Sequence, residues 1–195
     1  MTQLGFYVNQ ADCIGCHTCQ IACKDKNNLD IGVLFRNVHS FDTGKFPNVG
    51  RYHVPATCNH CGMPACISVC PVNAIIKDPD NGVVHIDKKL CNACKACIDA
   101  CPYGIPVFIE SKNTVSKCDF CRAELSIGEN PVCVDACPMR CLEYGDITEL
   151  KSKHASEDVT DALPCLPDPA RTVPSLAIAP RASAKQADFV ETFQM

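Results

Sequence analysis

Residues 91–102, "CNACKACIDACP", hold four cysteines and a proline in twelve positions, and this stretch decides the fold. The spacing C-x2-C-x2-C-x3-C-P is a known signature of bacterial iron–sulfur proteins. A loop with a cysteine at every third residue surrounds three corners of a four-iron cube, so the fourth iron takes its ligand from elsewhere. In two-cluster ferredoxins the last cysteine ligates the neighbouring cluster. Motifs of this kind therefore work in pairs.

Cysteine groups of this kind occur four times in the 195-residue chain, which contains 18 cysteines. The middle gap is longer in the second group and much longer in the fourth. We expect the last cysteine of each group to lie in the first turns of a helix, and a following proline (absent after the first group) to end or bend that helix. The groups are Cys13, Cys16, Cys19 and Cys23; Cys58, Cys61, Cys66 and Cys70; Cys91, Cys94, Cys97 and Cys101; and Cys118, Cys121, Cys133 and Cys137.

Disulfides and structural zinc also occur in proteins with such a density of cysteine. Disulfides need an oxidising compartment, and these short spacings would close small, strained loops. Structural zinc needs two CxxC pairs that converge on one tetrahedral ion, whereas here three cysteines arrive in one loop. Disulfides and zinc are therefore both disfavoured against iron–sulfur clusters.

Composition and charge argue against several classes of function. The formal net charge is −4 and the basic residues are scattered, which argues against nucleic-acid binding. No apolar stretch approaches the roughly 20 residues of a membrane-spanning helix. Met1 to Asp12 contain no basic region followed by an apolar run, so we expect no secretory signal. The prediction is a chain that is made in the cytoplasm and whose export, if it occurs, depends on a partner.

The sequence between the second and third groups, "AIIKDPDNGVVHID" at residues 74–87, predicts a β-hairpin because Asp, Pro, Asn and Gly favour turns. The predicted fold class is α+β, with two bacterial-ferredoxin-like modules, one inserted in the other. We expect the proline-rich tail to lie along a partner through Leu166, Val173, Leu176 and Ile178. The predicted domains are an outer module at 1–29 and 113–150, a hairpin insertion at 30–55 with its turn near 43–47, an inner module at 56–112 and an extended partner-binding tail at 151–195.

The chain resembles the four-cluster iron–sulfur electron-transfer (beta) subunits of the dimethyl-sulfoxide-reductase family of molybdopterin oxidoreductases. The resemblance extends from about Tyr7 to about Leu150. It rests on the order of the four groups, on their x4 and x11 gaps, and on the strings "CNHCGMPACISVCPVNAI", "ACPYGIP" and "KCDFCRAEL…NPVCVDACPMRCL". It implies that the chain carries electrons between a molybdopterin catalytic subunit and a membrane subunit with a quinone site. It also implies a peripheral membrane complex, either cytoplasmic or exported together with the catalytic subunit.

The resemblance also implies which cysteines share a cluster. By motif position, the first set is Cys13, Cys16, Cys19 and Cys137; the second is Cys23, Cys118, Cys121 and Cys133; the third is Cys58, Cys61, Cys66 and Cys101; and the fourth is Cys70, Cys91, Cys94 and Cys97. The first cluster would face the molybdopterin subunit and the fourth the quinone side. Some relatives have a bulky residue in place of one cysteine of the third group and hold a three-iron cluster there. In this chain the cysteine, Cys94, is present, so we expect four [4Fe–4S] clusters.

The sequence also allows a general interpretation of residues near the groups that are not expected to be ligands. His17 and His60 are interpreted as exposed loop residues or as donors toward cluster sulfur, and Cys141 and Cys165 as free thiols that pack as small hydrophobic groups. Five cations beside ligating cysteines are candidates for compensating cluster charge, with a solvated charge as the equal alternative. They are Lys24, Lys95, Lys117, Arg122 and Arg140.

No catalytic residue follows from the sequence. Each expected cluster has four thiolates, which leaves no iron open to a substrate, and no nucleotide-binding motif or Ser/His/Asp constellation is present. The prediction is therefore an electron-transfer subunit of an oxidoreductase complex. One alternative is a free-standing, diffusible polyferredoxin, which should purify alone. Another is a catalytic iron–sulfur enzyme, which would need a cluster that lacks a thiolate ligand.

Overall fold

The computed structural model describes residues 2–193, and its strands form two three-stranded sheets and two small hairpins. The sheets have the strand orders β8-β1-β9 and β10-β2-β3, and the hairpins are β4-β5 and β6-β7. The strands are β1 (Leu4–Asn9), β2 (Asn37–Lys45), β3 (Asn48–Ala56), β4 (Ile75–Lys77), β5 (Val84–Ile86), β6 (Val107–Ile109), β7 (Thr114–Ser116), β8 (Leu142–Asp146), β9 (Leu176–Ala179) and β10 (Val190–Phe193).

Six short α-helices connect these strands. They are α1 (Thr18–Lys26), α2 (Ala65–Ser68), α3 (Ala96–Ala100), α4 (Arg122–Ser126), α5 (Val132–Asp135) and α6 (Ile147–Lys153). None of the helices within residues 2–193 has the length and apolar character needed to cross a bilayer. The mixed α/β content agrees with the predicted class, while the nesting of two modules stays a prediction.

Strand β1 joins distant parts of the chain in one sheet. It pairs antiparallel with β8, with Phe6 opposite Tyr144, and parallel with β9, with Val8 opposite Ile178. Its side chains are buried on both faces because the Phe6 ring stacks on Phe120 at a centroid distance of 4.4 Å while Tyr7 packs on the other face. The start of the chain is thereby held beside the segment that follows the fourth cysteine group.

Two predicted hairpins are present in the structure. In the first, β2 and β3 pair from Asn37 opposite Ala56 to Lys45 opposite Asn48, which places the turn at the predicted position. In the second, β4 and β5 are joined by a turn in which the Asp78 N–H donates to the Val83 carbonyl at 2.9 Å. Gly82 has φ +71° in this turn, a conformation that side chains rarely adopt.

The helices differ from the prediction in their relation to the cysteines. The sequence places the last cysteine of each group in the first turns of a helix, but in the structure only Cys23 lies inside one. In the remaining groups it is the third cysteine that lies inside the helix, and the fourth comes at or just beyond its end. The reason is the following proline, which disfavours helical backbone in the residue before it.

The structure also differs from the prediction for the tail at 151–195, whose described residues do not lie extended away from the chain. Strand β9 adds to the edge of β1, and β10 adds to the edge of β2. Ala177 and Ile178 are fully buried in this way, whereas Val173 remains half exposed. The apolar residues that suggested a partner surface mostly complete this chain's own sheets, because a free strand edge and a buried apolar face are available to them.

Candidate iron–sulfur centres

Four cysteines from the two ends of the described chain surround one cavity. Cys13, Cys16 and Cys19 come from the loop before α1 and its first turn, and Cys137 follows α5. These are the four members of the first predicted set. The loop curls around the cavity because Gly15 and His17 both adopt left-handed backbone conformations, with φ of 66° and 61°. A fifth cysteine, Cys141, lines the same cavity.

The second predicted set lies deepest in the protein. Cys23, Cys118, Cys121 and Cys133 are all buried, and the helices α1 and α5 that carry two of them pack against each other. Burial, and then the neighbouring Cys23 and Cys58 thiolates, raise the pKa of Cys118. Cys23 and Cys118 belong to one buried cluster, Cys133 is brought to it by the packing of α5 on α1, and Cys121 follows Cys118 by three residues, while Cys58 of the third set adjoins the same cluster.

The third and fourth predicted sets each line a cavity of their own. Cys58, Cys61, Cys66 and Cys101 surround one cavity, and Cys70, Cys91, Cys94 and Cys97 surround the other. The helices α2 and α3 pack together between these sets. Helix α2 holds Cys66 of the third set and leads to Cys70 of the fourth, while α3 holds Cys97 of the fourth set and ends at Cys101 of the third.

The donor atoms fit iron–sulfur clusters. Each of the three cavities is surrounded by cysteine sulfur, a soft ligand that suits iron–sulfur clusters. Within residues 2–193, no three Cys, His, Asp or Glu side chains converge closely enough to hold a single metal ion, and the thiols surround a volume instead of a point. Burial raises the pKa of Cys19 and Cys97 to about 11 and of Cys66 to about 12. These thiols therefore release their protons when metal binds.

Each predicted set contains a sulfur that accepts a hydrogen bond. Thr18 Oγ1 donates to Cys16 at 3.3 Å, and the backbone N–H of Phe120 donates to Cys118 at 3.4 Å. In the inner region the Ala74 N–H donates to Cys70 at 3.2 Å. In the third set, Lys117 Nζ donates to Cys58 Sγ at 3.3 Å. Hydrogen bonds of this kind stabilise negative charge on sulfur and are one of the determinants of cluster potential.

Lys117 is the one of the five predicted cations that reaches a cysteine sulfur. Its Nζ lies 3.3 Å from Cys58 Sγ, donates to the Cys118 carbonyl at 3.0 Å and also to the Val84 carbonyl. The side chain is buried, with 4% exposure. Because Cys58 belongs to the third set and Cys118 to the second, this ammonium group lies between two predicted centres.

The remaining four predicted cations make local contacts instead. Lys24 donates to the carbonyls of the loop at residues 29–33, and Lys95 lies 3.9 Å from the centre of the Phe108 ring. Arg122 is 3.8 Å from the Asp78 carboxylate, and Arg140 donates to the Asp135 carbonyl at 2.6 Å. Within the described part of the chain, residues 2–193, these four residues make structural contacts and no hydrogen bond to sulfur.

Arg36, which the sequence did not single out, is the second buried cation near the centres. It is 1% exposed, its Nη1 donates to the Pro55 carbonyl at 2.7 Å, and its guanidinium lies 4.8 Å from the centre of the Phe6 ring. Its Nε and Nη2 have no hydrogen-bond partner within residues 2–193. Burial opposes its charge, but the Cys133 and Cys19 thiolates outweigh burial and hold the pKa of Arg36 above its ordinary value. No neighbouring cysteine in the sequence signals this role, since Arg36 lies thirteen positions beyond Cys23.

The two histidines differ from the sequence interpretation in part. His60 is fully buried, so it is not an exposed loop residue. Its Nδ1 accepts a hydrogen bond from the Val84 N–H at 3.0 Å, and burial holds its pKa well below the ordinary value, so the ring is neutral. His17 is partly exposed, and its Nδ1 contacts Gln20 Oε1 at 3.2 Å. Neither contact is to a cysteine sulfur.

The two cysteines outside the groups have different surroundings. Cys165 contacts the Tyr52 hydroxyl in the tail's packing against β3, away from the cysteine-lined cavities. Cys141 is 4% exposed, and its sulfur lies 3.4 Å from Cys137 Sγ. A hydrogen bond from Cys141 lowers the pKa of Cys13, and the same bond and burial raise the pKa of Cys141 itself. Cys141 is therefore part of the first centre's surroundings.

The four sets differ in solvent exposure, and the first and fourth sets each contain one exposed cysteine. Only two of the sixteen cysteines are exposed, Cys16 in the first set and Cys94 in the fourth. The cysteines of the second set are buried, and those of the third set are partly covered.

Comparisons with known proteins identify the same class of protein. Residues 49–147 match a family described as a 4Fe-4S dicluster domain, and residues 10–26 match a 4Fe-4S binding domain. The beta chain of anaerobic dimethyl sulfoxide reductase from Escherichia coli (strain K12) is 39% identical over 192 residues, covering 94% of this chain and 92% of the relative. Its counterpart of the same name in Haemophilus influenzae is 36% identical, covering 95% and 93%. The beta subunit of sulfite dehydrogenase from Allochromatium vinosum is 36% identical, covering 78% and 72%.

Proposed function

The chain belongs to the family of 4Fe-4S electron-transfer subunits that includes the beta chain of dimethyl sulfoxide reductase, and we propose that it relays single electrons through four [4Fe–4S] clusters. As an iron–sulfur subunit of an oxidoreductase complex, it transfers electrons and leaves substrate chemistry to a catalytic partner. We further propose that this partner is a molybdopterin subunit, and that a membrane anchor with a quinone site exchanges electrons at the other end.

In this proposal the sixteen grouped cysteines hold the clusters in the four sets defined above. The first, third and fourth sets each surround a separate cavity, and the four cysteines of the second set are all buried, which supports one cluster per set. When bound, a cluster accepts and passes on one electron at a time. The protein's part is to supply thiolates, to exclude water from the inner sets and to place cations beside them.

The order of the sets supports a single path. Helix α1 carries Cys19 of the first set and Cys23 of the second, so these two sets are neighbours. Lys117 contacts both Cys58 and Cys118, which makes the second and third sets neighbours. Helices α2 and α3 each serve the third and fourth sets.

The observation that carries the proposal is that the two ends of this order are the two sets with an exposed cysteine. Exposed Cys16 and Cys94 give redox partners access to the first and fourth centres, while the second centre is buried and the third is partly covered. By family resemblance the Cys16 end faces the catalytic subunit. A relay needs both features, access at its ends and insulation along its middle.

A diffusible polyferredoxin is the alternative from the sequence. The tail no longer distinguishes the two, because its described residues pack on this chain. The relationship to named components of a reductase and a dehydrogenase, along nearly the whole length of the protein for the reductase, favours the subunit.

Affinity purification of the tagged full chain from cells that also express the large subunit encoded beside it tests the proposal. We expect a molybdopterin protein to co-purify, with about sixteen irons and sixteen sulfides per chain and cubane-type EPR signals on reduction. A chain that purifies alone with the same iron content would support the diffusible carrier. Zinc in place of iron would refute the cluster assignment itself.

A further inference from the structure

The first centre contains a thiol that its four predicted ligands do not account for. Cys141 lines the same cavity as Cys13, Cys16, Cys19 and Cys137. The cavities of the third and fourth sets, by contrast, are lined by the four cysteines of their own set and by no fifth cysteine. The first centre is therefore chemically different from these two.

Cys141 is held in place by the central sheet. It directly precedes β8, and its backbone carbonyl accepts a hydrogen bond from the Asn9 N–H at 2.9 Å. The next residue, Leu142, pairs with Val8 of β1 and is buried in the core. A side chain fixed by a sheet in this way keeps its direction, so its sulfur stays beside the first centre.

The contacts of the Cys141 thiol are both with predicted ligands. Its sulfur lies 3.4 Å from Cys137 Sγ, within the 4.0 Å range of a hydrogen bond between sulfurs, and it also bonds Cys13. A thiol is a donor and a thiolate bound to iron is an acceptor only, so the proton must belong to Cys141. With 4% exposure, water does not compete for this proton.

We propose that Cys141 is a positioning residue whose single S–H donates to a ligand thiolate, that of Cys137 or that of Cys13, and raises the reduction potential of the first cluster. This inference rests on the proposed function, because it needs a cluster in the first set. Donation to ligand sulfur withdraws electron density from the cluster and favours the reduced, more negative state. The predicted partner-facing centre would thus hold an electron more readily than it would without the thiol.

Redox titration of the cluster-loaded full chain, followed by EPR, tests this role with three variants. Cys141→Ala removes the donor, Cys141→Ser supplies a hydroxyl donor in its place, and Cys165→Ala removes a cysteine that lies away from the cysteine-lined cavities. The first cluster's signal is identified as the one that changes in Cys16→Ser. Iron and sulfide per chain are measured for every variant.

We expect Cys141→Ala to keep its iron and to lower the reduced-to-oxidised ratio of the first cluster about three- to tenfold at a fixed potential; tenfold corresponds to about 59 mV. Cys141→Ser should recover part of this shift, and Cys165→Ala should match the unaltered chain. An unchanged titration in Cys141→Ala would overturn the inference while full iron content left the proposed function standing. Loss of the first cluster in Cys141→Ala would overturn it too, because Cys141 would then be a ligand.

Discussion

The first and fourth cysteine groups and the second and third groups use related spacings but have different surroundings. Seven of the eight cysteines in the first and fourth groups are buried, whereas only Cys97 is buried among the eight of the second and third groups. The outer region is covered by the sheet of β1, β8 and β9 and by the stacked rings of Phe6 and Phe120. The inner region contains the short β4-β5 and β6-β7 hairpins, and the tail at residues 172–175 bonds its loop at Asn59 to Met63. The spacing of a group therefore determines which residues are available as ligands, whereas the strands and helices packed around the group determine how far water reaches those ligands.

This difference predicts that the outer centres tolerate change less than the inner ones. Solvent exposure and nearby charge are two determinants of cluster potential, and burial of an incompletely ligated site is costly. Arg36 stands beside buried outer thiols, and Lys117 stands at the boundary between the two regions. The following substitutions compare the regions directly.

The largest expected contrast is between a buried and an exposed ligand. Cys118→Ser weakens a ligand of the second cluster. Because the first and second sets share the helices α1 and α5, we expect both of their clusters to be lost. About eight of about sixteen irons would then remain per chain. Cys94→Ser changes an exposed thiol, and we expect it to affect its own cluster and keep at least about twelve irons. Iron and sulfide analysis checks this. Equal losses from the two variants would show that burial does not set the tolerance of these sites.

A smaller contrast is expected at the buried cation of the outer region. Arg36→Met removes a charge that the first and second sets face, so we expect their potentials to fall by about 60 mV or more and unfolding to become easier by about 3 kcal/mol. Redox titration and denaturant unfolding measure the two effects. Arg36→Lys should retain much of both because it keeps the charge, and Arg140→Met should change neither by a comparable amount. A shift confined to the inner clusters would contradict the placement of Arg36.

The smallest contrast concerns one carboxylate in each region that accepts hydrogen bonds from backbone N–H groups. Asp146 caps α6 by accepting hydrogen bonds from the Thr148 and Glu149 N–H groups, and it also accepts one from the Gln3 N–H at 3.1 Å. Asp146→Ala should cost about 1 kcal/mol. The Asp87 carboxylate, which follows β5 in the inner region, accepts the Lys89 N–H at 2.8 Å, and its change to Ala should cost less because the Leu90 and Cys91 N–H groups bond the Asp87 backbone carbonyl, which stays.

The pH dependence of the Asp146 effect has a definite sign. Hydrogen bonds, first from the Gln3 N–H, lower the pKa of Asp146 in the folded protein. Its stabilisation is therefore complete above the ordinary aspartate pKa of about 3.9 and is lost as the pH falls through the lower folded value. Denaturant unfolding at pH 8 and pH 6 should give the same difference between Asp146→Ala and the unaltered chain. A difference that changed between these pH values would point to another titrating group.

The sequence was sufficient to predict the features that depend on neighbouring residues. The cysteine groups, the turn at Asp78 to Gly82 and the β2-β3 hairpin all follow from local spacing or turn chemistry, and the family was recognisable from the motifs. The burial of His60, the role of Arg36 and the position of the tail depend on which distant segments pack together. In the sequence, strand β9 looks like part of a proline-rich extension, but in the structure it pairs with the edge of β1. Periodicity alone contains no information about that edge.

The pairing of β1 with β8 and β9 also sets an order of events during protein synthesis. The cysteines of the second and third groups emerge from the ribosome together, so their two sets are complete once Cys101 has been made. The first group waits for the fourth, and β1 then waits for β9 near the end of the chain. At about 5–20 residues per second, the stretch from Cys101 to Cys137, the last of the partner ligands, takes roughly 2 to 7 seconds to synthesise. During that time Cys13 to Cys23 are without their partner ligands, so this first segment is the one that an assembly factor would need to shield.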